Sequence, residues 1–101
     1  MKRSRVLGPG IALALAAMAL APQASAEVER GAALSASCFT CHSIDATGNM
    51  PGLVGYPRDL MVSQMQAFAD GSRPATIMDR HSKGYSKDDV ELIADYIATL
   101  Q

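Results

Sequence analysis

Cys38-Phe39-Thr40-Cys41-His42 is the stretch on which the fold of this 101-residue chain depends. Its two thiols are the only cysteines in the sequence; two residues separate them, and an imidazole follows the second directly. Thiols so spaced can each add to a vinyl group of one porphyrin, and the adjacent histidine can turn its ring onto the iron. The spacing predicts a covalently attached c-type haem, with Cys38 and Cys41 as the thioether anchors and His42 as the first axial ligand. Competing chemistries find less support. A thioredoxin-like dithiol needs a strand before the motif and a helix after it, whereas the preceding residues are Ala-rich. A structural zinc site needs two further ligands at finger spacing, and His81 is the only other histidine. A disulfide across two residues closes a small, strained loop.

Upstream, the chain begins with Lys2, Arg3 and Arg5, continues through an apolar run from Ile11 to Ala21, and reaches Ala24-Ser25-Ala26. This pattern predicts a secretory signal peptide over residues 1–26, cleaved after Ala26; an uncleaved N-terminal anchor is the alternative. The apolar run is short for a membrane span. Residues 27–101 then form one domain with a formal charge of −4, because the leader carries three of the nine Lys and Arg and none of the ten Asp and Glu. That charge argues against a nucleic-acid partner. Export places the protein in the periplasm with no stable membrane insertion. So small a domain buries a modest core, and a covalent haem would supplement it, so the chain without haem is expected to be largely unfolded.

Glu27 to Ser37 has helix character, with Glu27 and Glu29 placed for the first turn and Gly31 suited to close approach of another helix. Ser43 to Tyr56 reads as a loop containing Gly48, Pro51, Gly52 and Gly55. It is expected to wrap the His42 side of the haem, with the Pro51 carbonyl accepting from the second nitrogen of the imidazole. Pro57 to Ala69 predicts a helix with Leu60, Met61, Met65 and Phe68 on one face, ended by Gly71. Ser72 to Tyr85 reads as a second loop. Ser86 and Asp89 form a capping-box pattern opening a final helix whose stripe is Val90, Ile93, Ile97 and Leu100, with Tyr96 and this stripe packing on Gly31. The expectation is an all-α fold of three main helices and two haem-wrapping loops.

The second axial ligand has to come from Met50, Met61, Met65, Met78 or His81. Met78 is preferred: it follows His42 by 36 residues, in a loop able to reach over the other haem face. Met61 and Met65 sit at core spacing, Met50 lies too near the proximal side, and His81 reads as an ordinary side chain. An open sixth site would instead make the domain a ligand-binding or sensing module.

Gly31-Ala32-Ala33-Leu34 before the motif, the Pro51-Gly52-Leu53-Val54-Gly55 turn and the terminal Asp95-Tyr96-Ile97 resemble class I cytochromes c over the whole of residues 27–101. Arg73-Pro74-Ala75-Thr76-Ile77-Met78 with Lys83-Gly84-Tyr85-Ser86 is similar to the cytochrome subunit of flavocytochrome c sulfide dehydrogenase and, less closely, to cytochrome c4 halves and c553-type proteins. The resemblance implies Met78 as distal ligand and Pro51 as the acceptor for the proximal histidine. It also implies one-electron transfer without catalysis by this chain, a flavoprotein sulfide dehydrogenase subunit as partner in a heterodimer, and an acceptor such as another cytochrome. A free-standing electron shuttle is the second reading, since members of that group often carry two haem domains and this chain has one attachment motif.

Overall fold

The structure is a computed structural model and describes residues 23–43 and 50–101. Most of the expected leader (1–22) and part of the first loop (44–49) lie outside the described residues. Helix α1 covers 23–35 and leads into a 3-10 turn, Cys38–Thr40. Helices α2 (Arg58–Asp70), α3 (Met78–Lys83) and α4 (Lys87–Thr99) follow, and no strand occurs among the described residues. This is the all-α architecture expected. Because α1 is already helical at residue 23, Glu27 and Glu29 stand beyond its first described turn rather than within a helix start.

Helix α4 forms where its pattern places it. Ser86 Oγ accepts from the Asp89 amide at 3.1 Å and the Asp89 carboxylate accepts from the Ser86 amide at 3.2 Å, closing the capping box. Val90, Ile93, Ala94 and Ile97 turn inward as the core. Helix α2 runs from Pro57, at its N-cap, to Gly71, whose φ of 83° closes the helix in a left-handed turn open to glycine at little cost. Its buried residues are Met61 and Met65, one turn apart. Leu60, expected on that face, is 43% exposed instead; it lies about 100° around the helix from Met61, which carries it off the stripe.

Two packings define the globule. Helix α2 lies against both α3 and α4. Helix α1 crosses α4 at Gly31, where a Cβ would stand 2.7 Å from the Leu92 carbonyl oxygen and 3.1 Å from Tyr96 Cβ. The close approach expected of Gly31 and Tyr96 is therefore present, and only hydrogen fits there. Beside it the buried Ser35 hydroxyl donates to the Gly31 carbonyl at 2.7 Å, so the small face of α1 leaves no polar atom unpaired.

The second loop is shorter than expected, because α3 occupies Met78–Lys83. No Gly or Pro interrupts these six residues, Asp79 lies in the first turn and Arg80, His81 and Lys83 in the last, which suits the helix dipole. Ser82 is buried and its hydroxyl meets Met65 Sδ at 3.6 Å, docking α3 on α2.

Candidate functional site

The 3-10 turn after α1 shapes the cysteine motif. The Cys41 amide donates to the Cys38 carbonyl at 3.3 Å, and the His42 amide donates to the same oxygen at 2.9 Å. This curl brings Cys38, Cys41 and His42 to the lining of a cavity of about 540 Å³, within the range of small-molecule and cofactor sites. Ser37, just ahead of the motif, is held by a 2.9 Å hydrogen bond between its hydroxyl and that of Tyr85. Burial pushes the Cys38 thiol above its ordinary pKa, with hydrogen bonds at Cys38 and Ser37 offsetting part of the rise.

His42 Nδ1 lies 2.8 Å from the Pro51 carbonyl oxygen. A carbonyl only accepts, so the contact places the ring proton on Nδ1 and leaves Nε2 with its lone pair, the form that ligates a metal. The loop carrying Pro51 is fixed to α4: Gly55, at a φ of 68°, donates its amide to the Ile97 carbonyl at 3.2 Å. Met78, the first residue of α3, is half-buried and lines the same cavity, as does His81 one turn later. Pro51 lines it too. All five residues singled out from the sequence, Cys38, Cys41, His42, Pro51 and Met78, thus surround one space.

Sequence reasoning missed Arg73. Its guanidinium lies 4.6 Å from the centre of the Phe68 ring, donates to the Gln64 side-chain oxygen, and follows a backbone amide bonded to the Ala67 carbonyl at 3.0 Å. Among the described residues it is the only Lys or Arg lining the cavity, and no Asp or Glu lines it. The available signal was a lone cation five residues before Met78 in an otherwise uncharged run.

Residues 28–101 match the family model described as cytochrome c. The chain belongs to the cytochrome c family. This cytochrome c is 37% identical over 73 residues to the cytochrome subunit of sulfide dehydrogenase of Chlorobaculum tepidum, an alignment covering 70% of this chain and 66% of that protein. It is 31% identical over 77 residues to cytochrome c-553 of Nitratidesulfovibrio vulgaris, covering 69% and 76% respectively. The chain therefore spans slightly under two thirds of the first relative's length.

Membership makes covalently held haem c the cofactor and electron transfer, without catalysis by this chain, the work of the cytochrome. The residues fit that group. The cavity is lined chiefly by apolar side chains, brings a thiol pair, an imidazole and a thioether together, and includes one guanidinium, a group suited to pairing with carboxylate substituents such as those of a porphyrin. No helix among the described residues is long and apolar enough to cross a membrane.

Proposed function

We propose that this cytochrome c is a periplasmic monohaem subunit, matured by cleavage after Ala26, that relays single electrons from a flavoprotein sulfide dehydrogenase subunit to an acceptor cytochrome or similar protein. Haem supplies the one-electron couple at iron. Cys38 and Cys41 would hold it through thioethers, and His42 and Met78 would supply the two iron ligands. Pro51 orients the His42 ring, and Arg73, at the cavity lining, would pair with a haem carboxylate. With both iron ligands supplied by side chains, the iron would offer no site to a substrate and bond chemistry would fall to the flavoprotein.

The observation that carries this reading is the 37% identity to a sulfide dehydrogenase cytochrome subunit in a chain whose five expected haem residues line one cavity. The test is recovery of the tagged, haem-loaded protein from its own periplasm. Co-purification of a stoichiometric flavin subunit, with a mature N-terminus at Glu27, supports the proposal. A monomer at all concentrations favours the second reading, a free-standing electron shuttle.

A further inference from the structure

We infer that α3 presents two iron ligands to the same cavity, Met78 in use and His81, one helical turn on, in reserve. The inference rests on the reading of Met78 as the distal ligand and goes beyond it by giving His81 a role. Residues three apart on a helix are surface neighbours about 5–6 Å apart at Cβ, and both side chains line the cavity that holds His42. His81 is exposed at the rim, and neither ring nitrogen has a hydrogen-bond partner among the described residues. A neutral imidazole with both nitrogens free of protein contacts is a competent axial ligand. Its far nitrogen extends further from Cβ than a thioether sulfur does, so the ring can turn inward from the rim.

The backbone is arranged to keep His81 in place when Met78 lets go. The anchors of α3 lie at and after His81: Ser82 is 2% exposed and bonded to Met65 Sδ, and the Gly84 amide is bonded to the carbonyls of His81 and Ser82. At the start of the helix Ile77 supplies no side-chain cap, and its carbonyl accepts the Arg80 amide at 3.0 Å and the His81 amide at 3.2 Å, which ties the His81 backbone to that turn. Loss of the thioether would leave the His81 end docked on α2 through Ser82. With only two histidines in the chain, any second imidazole on the iron of a monomer comes from His81. Exchange of thioether for imidazole lowers the reduction potential, which would convert the relay into a poorer electron acceptor without loss of haem.

The experiment compares haem-loaded wild type, Met78→Ala, His81→Ala and the double variant by ferric absorption, low-temperature electron paramagnetic resonance and titration with free imidazole. His81→Ala should keep the methionine-to-iron band. Met78→Ala should lose it and show a low-spin bis-imidazole signal, while the double variant becomes high-spin. A reserve ligand that leaves the sixth position open a tenth of the time or less weakens imidazole binding at least ~10-fold in Met78→Ala relative to the double variant. Equal imidazole affinities and a high-spin Met78→Ala protein would overturn the role of His81. Retention of the methionine band in Met78→Ala would instead overturn the assignment of Met78. If Met78→Ala does not fold, as judged by far-ultraviolet circular dichroism, Met78→Ser with and without His81→Ala carries the same comparison.

Discussion

The Pro51 carbonyl oxygen stands 2.8 Å from Nδ1 of His42, two residues nine apart in the chain and joined across the loop that follows the cysteine motif. The contact fixes the tautomer of the His42 ring, and a donor bond at Nδ1 makes Nε2, the nitrogen proposed to bind iron, more basic. Pro51→Gly keeps the carbonyl but frees the backbone that aims it. The expected cost is about 0.4–1 kcal/mol, chiefly from added freedom of the unfolded chain, together with a rise in reduction potential as the contact loosens. Guanidinium unfolding and equilibrium redox titration measure the two effects.

Gly31 is where α1 and α4 touch, and a methyl group there meets the Leu92 carbonyl at 2.7 Å, a backbone atom that cannot move aside without shifting α4. Gly31→Ala should therefore destabilise the holoprotein by about 1–3 kcal/mol, the usual cost of overpacking. In denaturant unfolding the midpoint falls with little change of slope.

Ser86 and Asp89 cap α4 reciprocally. Ser86→Ala removes the acceptor for the Asp89 amide and should cost about 1 kcal/mol. Thermal melts of the two holoproteins at neutral pH check this.

Arg30 donates to the Asp89 carboxylate at 2.7 Å, and this contact, followed by those from Ser86, holds the Asp89 carboxyl below its ordinary pKa. A carboxyl depressed in the folded state contributes stability that is present above its unfolded pKa, about 3.9, and is lost as pH falls through the folded value. Wild-type stability should decline below about pH 4 more steeply than that of Asp89→Asn, and acid titration of the unfolding midpoint reads the difference.

Much of this was legible in the sequence because the decisive features are local. The Cys38 to His42 motif, the Ser86 and Asp89 cap and the Gly71 stop each act within a few residues. Gly31 stood out because nothing local explained it, and the long-range contact with Leu92 and Tyr96 does. The misses are tertiary. Helix α3 is short and has no amphipathic repeat to announce it, since its formation depends on Ser82 docking against Met65. Leu60 fits the buried face by spacing, but spacing alone does not say which side of the stripe meets α3 and α4, and Leu60 is exposed. Arg73 has no role legible in the sequence, because its meaning lies in the cavity it borders.

Leu53, Met61, Met65 and Ile93 are buried core residues that also line the cavity. Removing haem leaves these side chains facing water, and each well-buried one contributes about 1.5–3 kcal/mol to a small domain with little to spare. The chain prepared without haem should show low helicity and no cooperative melting transition by circular dichroism. A native-like transition would mean that the helices alone suffice.

Carbon monoxide mixed rapidly with the reduced protein at neutral pH tests most directly whether His42 and Met78 make this a six-coordinate electron relay. No adduct is expected on the timescale of seconds if His42 and Met78 hold both ligand positions of the iron. Rapid, stoichiometric formation of a carbonmonoxy spectrum would contradict this assignment and indicate a ligand-binding haem.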